Sequence, residues 1–347
     1  MKNKKWIILS ILMMIGIILS SLGFFMGAHM GVYFNSDGVH LVSREKNLIA
    51  VDDLDDFQSI QINVKYANIQ LEASDHYGLE ILSHLDSKTE GGTTNQRFTW
   101  KLENQALIIS ENTSASKFNF SFGFFVDASC YIKVYFPKDA NLTTAAITST
   151  NGDIKLSNGN IEKLDITSSY GNITVNELQS NQGTFLSTNG NVNFRSGTVE
   201  QLKIDSSYGN IQIKDFNAHT SILTSKNGDV KLQNYNTQNL AIESEYGNVK
   251  LENIESKDTT ITSKNGNTSI QGNLLDNTTI SSQYGDIKVQ TKQLESYYSS
   301  DFSTKYGNIS IKEKKLEDRS SYHTTYNNGK TLLLNSKNGN VKVEFGY

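Results

Sequence analysis

The chain has 347 residues, of which 37% are hydrophobic, with 25 glycines, one proline, one cysteine and a formal charge of −4. That length holds one or two domains, but the low apolar share beside abundant Ser, Thr, Asn and Gly suits a turn-rich all-β fold with a thin core, not a large globular enzyme. With Lys2, Lys4 and Lys5 set aside the rest carries −7, which excludes the basic footprint of nucleic-acid binding, and the lone Cys130 excludes an intramolecular disulfide or a cysteine metal cluster.

Residues 6–28 carry no charge and are mostly apolar, long enough for a helix to cross a bilayer. A cleavable signal has a shorter apolar core and small residues at the cut. No Ala-x-Ala pattern follows here, so an uncleaved transmembrane anchor is expected. The lysines before it place residues 1–5 in the cytoplasm and export the body of the protein, with residues 29–48 as a linker.

Residues 49–145 read as degenerate first coils or a cap. Ile60, Ile62 and Val64 alternate, Phe98 to Leu102 and Ala106 to Ile109 suggest further strands, and Tyr131 to Pro137 leads onward. Segments 88–96 and 112–117 read as loops. Larger side chains suit a region that closes the open end of a stack, which would otherwise aggregate. Cys130, in a strand-like stretch, reads as a small buried hydrophobe.

From residue 146 to 347 an internal repeat governs the sequence. Glycines fall every 19 residues at Gly152, Gly171, Gly190, Gly209, Gly228, Gly247, Gly266 and Gly285, then at Gly307 and Gly339 after insertions. Asn or Asp follows each one, from Asp153 and Asn172 to Asn308 and Asn340. Serine stands three places before, from Ser149 to Ser282. The residue just before the glycine alternates, with Asn151, Asn189, Asn227 and Asn265 interleaving with Tyr170, Tyr208, Tyr246 and Tyr284, until Tyr306 breaks the order. Apolar residues around the turn keep period two, as in Ile173/Val175 and Val230/Leu232, the mark of strands with one face inward.

An Asn-Gly turn can close an antiparallel hairpin, but identical units that each bury too little are stabilised by stacking on their neighbours. The expected fold is therefore a parallel β-helix, or β-solenoid, of 19-residue coils about 4.8 Å apart. Glycine is expected to supply a positive φ at the corner. The Asn/Asp column is expected to form a stacked ladder. Calcium is the sharper alternative, but the calcium-binding β-roll uses a glycine-rich nonapeptide, and in this column only Asp153, Asp229 and Asp286 are acidic.

Three segments carry a resemblance: Ala67-Asn68-Ile69-Gln70-Leu71, then Ile132-Lys133-Val134-Tyr135-Phe136-Pro137, then units such as Ser149-Thr150-Asn151-Gly152-Asp153-Ile154. Together they resemble the bacterial "putative adhesin" domain family of unknown function, over residues 50–347. The resemblance implies a membrane-tethered β-solenoid surface protein, and some relatives are associated with Gram-positive cell-envelope stress.

Catalytic chemistry finds no pattern. His29, His40, His76, His84, His219 and His323 form no metal-ligand motif, and no glycine-rich phosphate loop precedes a helix. No departure from the repeat builds the carboxylate pair of a glycan hydrolase, so neither enzyme activity nor a cofactor is expected. The tyrosine column is the candidate contact site, with rings that either bind a ligand or cover the adjacent glycine. The function expected is a cell-surface interaction module, its partners the membrane and an envelope glycan, a cationic peptide or another membrane protein. A scaffold for a neighbouring membrane protein and a polysaccharide-acting enzyme are the alternatives.

Overall fold

The computed structural model describes residues 11–19, 21, 32–35, 38–41, 46–84, 97–112, 120–122, 130–312, 314–316 and 318–347. The expected tail 1–5 and loop 88–96 lie outside these residues, as do most of the anchor 6–28, part of the linker 29–48 and all of loop 112–117 but its first residue. Two compact units divide the chain.

The first unit comprises 1–47, 83–97 and 112–128. Within it residues 11–19 are helical, and Val32–Asn35 pairs antiparallel with both Gly38–Leu41 and Phe120–Phe122. No helix among the described residues is long and apolar enough to cross a membrane.

The second unit comprises 48–82, 98–111 and 129–347, and it is built of stacked parallel strands. Its regular part is five consecutive 15-residue strands, Ile154–Ser168, Ile173–Ser187, Val192–Ser206, Ile211–Ser225 and Val230–Ser244. Each pairs in parallel with the next, Ile154 with Ile173, Ile173 with Val192 and Val192 with Ile211, so the register advances 19 residues per strand. Period-two alternation drives this arrangement. Ile154, Leu156, Ile161, Leu164 and Ile166 all turn inward and are buried, while Lys155, Asn158, Asn160, Glu162 and Lys163 between them face solvent. Repeating that pattern stacks like on like and makes one continuous core along the unit. In mid-stack the core is aromatic. Phe185 meets Phe194 edge-on at 4.6 Å, Phe194 meets Phe216 at 5.4 Å, and Phe216 stacks on Tyr235. The buried Tyr235 hydroxyl bonds with Ser221, and burial pushes the phenol well above its ordinary range.

The strands are long because they bend without breaking. Asn158, Glu177, Ser196, Asp215, Asn234 and Asn253 each adopt a left-handed φ between 52° and 59°, a column 19 residues apart that turns the chain at a second corner. Asn and Asp enter this region most readily among non-glycine residues. Their side chains also stack: the Asn234 amide donates to Asp215 and the Asn253 amide to Asn234, at 2.5 and 2.8 Å.

Chain order and stack order part company at both ends. Strands Ser59–Val64 and Asn68–Ser74 lie directly beside Leu142–Ser149 and Ile154–Ser168, with Ile62 opposite Ile147 and Ile69 opposite Ile154. The intervening chain leaves the stack to build its closing layer. There Ala106–Glu111 and Tyr131–Pro137 add in parallel, and Phe98–Glu103 and Gly78–His84 then add antiparallel. Asn104 and Gln105, both at positive φ, make the tight hairpin that this reversal requires. At the other end Thr331–Asn338 and Val341–Phe345 insert between Thr278–Tyr284/Ile287–Thr291 and Ser299–Thr304/Ile309–Ile311. The segment nearest the C-terminus is thus an interior layer, and Ser299–Thr304 lies outside it with Ser321–Thr324 antiparallel on its flank.

Candidate functional site

The Ser-x-x-Gly-Asx turn forms one edge of the second unit, and each of its columns has a physical task. The serines are buried, and their hydroxyls bridge the turn they open. Ser168 donates to the Gly171 carbonyl at 2.8 Å, Ser187 to Gly190 at 2.6 Å, Ser206 to Gly209 at 2.7 Å and Ser225 to Gly228 at 2.6 Å. The Gly171 and Gly228 amides donate back to the same oxygens. Thr304 and Ser336 do the equivalent work in the reordered layers, donating to the Gly339 and Gly285 carbonyls of the adjacent layer.

The glycines are required for a reason other than the expected one. Among the ten column glycines only Gly266, at 151°, has a φ in the region disfavoured for side chains, so a positive φ does not explain the column. Close approach does. A Cβ built on Gly171 would stand 1.9 Å from the Gly152 carbonyl oxygen, and on Gly228 2.1 Å from that of Gly209. The same contact recurs from Gly152, which faces Ala67, to Gly339 and Gly307, which face Gly285 and Gly339. Turns stack backbone on backbone here, with no room for a methyl group.

The residue after each glycine forms a ladder. The side-chain oxygen of one coil accepts the backbone N–H of the next: Asn68 from Asp153, Asp153 from Asn172, Asn172 from Asn191 and Asn191 from Asn210, at 2.7–3.0 Å. It continues through Asn210, Asp229, Asn248, Asn267, Asp286 and Asn340 to Asn308. The oxygens are spent on backbone, and no group of three His, Cys, Asp or Glu able to hold a metal occurs among the described residues.

The residue before each glycine is where sequence and space differ most. Asn189, Asn227, Asn265 and Asn338 fold their amides back onto the carbonyls of Ser169, Ser207, Glu245 and Gln283 in the layer beneath. Tyr170, Tyr208, Tyr246 and Tyr284 point outward, at 65, 64, 56 and 50% exposure, and among the described residues their hydroxyls have no hydrogen-bond partner. Sequence order breaks the alternation at Tyr306, but stack order restores it. Asn338 sits against Tyr284, and Tyr306 hydrogen-bonds beside it, through its N–H to the Lys337 carbonyl. At the other end the Asn151 N–H bonds to the Lys65 carbonyl, which sets Tyr66 before Asn151. Along the edge the order is therefore Tyr66, Asn151, Tyr170, Asn189, Tyr208, Asn227, Tyr246, Asn265, Tyr284, Asn338, Tyr306, without a fault. Tyr66 and Tyr306 are not among the contact residues expected from sequence, where Tyr306 reads as a break in the alternation, although the Tyr-Ala-Asn and Tyr-Gly-Asn motifs around them mark them.

Elsewhere the surface offers shallow grooves. One, lined by Asn141, Asn160 and Gln179, brings the exposed Glu162 and Glu200 to the same face. Two coil spacings separate them, about 9.6 Å. A working carboxylate pair needs environments that hold one carboxyl protonated and the other ionised, and this groove exposes both alike. His76 contacts Asp75 at 2.6 Å and His323 bonds to Thr325. Cys130 is buried, as expected.

One family model matches residues 57–220 and again 196–344, an overlap that a repeat produces naturally. The chain belongs to the Toastrack DUF4097 family. Solved structures similar to this Toastrack chain include a "putative lipid binding protein" from Parabacteroides distasonis, 15% identical over 88% of this chain and 98% of that one, with a TM-score of 0.44. Two "putative adhesin" structures also match. One from Parabacteroides distasonis is 11% identical over 87% and 97% of the chains, with a TM-score of 0.43. The other, from Parabacteroides merdae, is 13% identical over 87% and 96%, with a TM-score of 0.37. No curated protein matches.

Proposed function

We propose that this protein is a non-catalytic interaction module outside the cytoplasmic membrane, tethered by residues 6–28 and presenting a stack of 19-residue coils to the cell envelope. The single observation that carries the reading is the Tyr/Asn alternation. It is interrupted in the chain by excursions at both ends and unbroken in space, so it follows the surface and not the repeat of the sequence. A tyrosine needed only to shield its own turn has no reason to skip every second layer. Exposed tyrosines supply large, rigid contact area at small entropic cost.

What supports the tether is composition and exposure. Residues 11–19 are helical, with Ile11, Leu12, Met13, Met14, Ile15, Ile17, Ile18 and Leu19 all exposed, and three lysines precede the apolar run. Alkaline extraction of membranes should leave the protein in the pellet, and protease added to intact cells should digest the stack. The contact edge is tested with full-length protein in detergent, incubated with isolated cell envelopes. Wild type should be retained and the Tyr208→Ala/Tyr246→Ala variant washed off. Equal retention of both would remove the tyrosine edge from the function.

A further inference from the structure

Two residues before each column glycine, next to the tyrosines, the edge carries charge unevenly. In stack order its far half reads Lys226, Glu245, Lys264, Gln283, Lys337, Lys305, with all four lysines exposed. The Lys264 ammonium lies 6.0 Å from the centre of the Tyr246 ring, and that of Lys305 lies 5.1 Å from the Tyr306 ring. On the other flank of the turn stand Lys231, Lys250, Lys288 and Lys342, the first two sharing Glu252 at 3.5 and 2.6 Å. Glu243, Glu245, Glu252, Glu344 and the ladder residues Asp229 and Asp286 are the acidic counterweights, fewer than the eight lysines. Cations thus predominate on this half of the edge, although the chain as a whole is at −4. Such segregation favours an anionic occupant and speeds its capture.

We infer that this edge is a track for an extended acidic polysaccharide, which lies along the stack with sugar faces on the tyrosine rings and anionic groups on the flanking lysines. The inference rests on the reading that the tyrosine edge is a contact surface. Spacing selects the class of polymer. Tyrosines on every second layer recur about every 9.6 Å at the strand separation of a sheet. In an extended β-1,4-linked glycan successive sugars flip over, so same-facing units recur every second sugar, a repeat of closely similar length. Same-facing side chains of an extended peptide recur every ~6.8 Å and would drift out of phase within a few residues. A fluid lipid surface has no fixed repeat for the alternation to match. The hydroxyls of Tyr170, Tyr208, Tyr246 and Tyr284, without hydrogen-bond partners among the described residues, are donors and acceptors suited to sugar hydroxyls.

The test uses full-length protein in detergent and an oligomer of β-1,4-linked mannuronate long enough to span three tyrosines. Calorimetry should show binding that weakens as salt rises. Tyr208→Ala/Tyr246→Ala should weaken it about tenfold or more. Lys226→Ala/Lys264→Ala should weaken it and flatten the salt dependence, and thermal melts must show both variants folded. A neutral cello-oligomer of equal length should bind less tightly. Polyglutamate binding as tightly as mannuronate would overturn the inference in favour of charge alone. Tyrosine-dependent binding to phosphatidylglycerol vesicles with none to mannuronate would overturn it in favour of a lipid surface. If mannuronate fails while envelopes still retain wild type and not the tyrosine variant, the glycan assignment falls and the contact edge stands. If envelopes retain both proteins equally, both fall.

Discussion

Tyr284 and Asn338 stand 54 positions apart in the chain and pair as direct neighbours in adjacent layers of the stack. Between them the chain runs out to the layer of Tyr306 and then returns to fill the gap it left. The Asn338 amide bonds to the Gln283 carbonyl as Asn189 bonds to that of Ser169 one repeat after another. The returning segment thus reproduces every column, with Ser336, Asn338, Gly339 and Asn340 taking the places of serine, asparagine, glycine and ladder residue.

This insertion predicts where the stack is strong. In a solenoid that follows chain order the last repeat frays. Here Leu334 is buried between Ile280 on one side and Phe302 on the other. Leu334→Ala should cost about 3 kcal/mol, as much as Leu223→Ala in mid-stack. Urea unfolding of the two variants checks this, and a Leu334→Ala cost near zero would contradict the layer order.

The glycine column predicts an asymmetry between neighbours in sequence. A methyl group on Gly228 meets the Gly209 carbonyl oxygen at 2.1 Å, and backbone cannot rotate away as a side chain can. Gly228→Ala should lose about 3 kcal/mol or more through forced backbone shifts, and Gly228→Val no less. Lys226→Ala, on the surface two residues away, should stay within about 0.5 kcal/mol of wild type. Equal melting temperatures for the two would refute the close-approach account.

Much of this edge was legible in the sequence, because stacking identical units turns a column of residues into a column of identical contacts. Ser168, Gly171 and Asn172 could be assigned to a turn before any coordinates, and the inward faces of Ile173 and Val175 followed from alternation. The second corner was not legible. Its left-handed residues are Asn158, Glu177, Ser196, Asp215, Asn234 and Asn253, chemically too mixed to stand out, and Glu177 is held there by its neighbours and not by its own preference. Layer order at the ends was equally hidden, since pairing of Tyr284 with Asn338 depends on where an excursion returns. The reason for glycine was misread for a related cause: composition shows that a Cβ is excluded, and only the neighbouring layer shows what excludes it.

If the tyrosines serve a partner and not the turn, removing them should leave the fold intact. Tyr208 and Tyr246 are more than half exposed, and the neighbouring asparagines already bond the turn carbonyls. Tyr208→Ala/Tyr246→Ala should therefore shift unfolding by no more than about 1 kcal/mol in total. A loss of several kcal/mol in a denaturant titration would restore the reading in which the rings hold the turns together.

The segment that leads out to the last layer is held by a polar clasp with its own pH signature. Glu295 accepts from Lys314 at 2.8 Å and from the Tyr322 hydroxyl. Burial alone would raise its carboxyl, but those hydrogen bonds and the Lys314 charge prevail, so it ionises below the ordinary glutamate value of 4.5. A carboxylate depressed in the folded state adds stability that is fully present above the unfolded value and is lost as pH falls through the folded one. Glu295→Gln should cost about 1 kcal/mol near neutral pH, and its gap from wild type should close on acidification below 4.5. A gap that stayed constant with pH would show the clasp to be held by shape alone.

The Asn/Asp ladder makes the sharpest test, because its two chemical demands can be separated at one position. Each member must offer an oxygen to the N–H of the next layer, and Asn210 does so to Asp229 at 2.8 Å. Adjacent members lie one strand spacing apart, about 4.8 Å, so two carboxylates in succession would repel by about 1 kcal/mol or more even near water. The acidic members avoid this: Asn172, Asn191 and Asn210 separate Asp153 from Asp229, and Asn248 and Asn267 separate Asp229 from Asp286. Asn210→Asp keeps the acceptor and adds the repulsion, so it should cost about 1 kcal/mol at low ionic strength and recover as salt screens the pair. Asn210→Ala removes the acceptor and leaves the Asp229 N–H without its partner, a loss of about 1–2 kcal/mol that salt should not recover. Melts of the two variants at low and high salt distinguish a ladder of hydrogen bonds, in which only the aspartate variant recovers, from a column of surface polarity, in which neither change is felt.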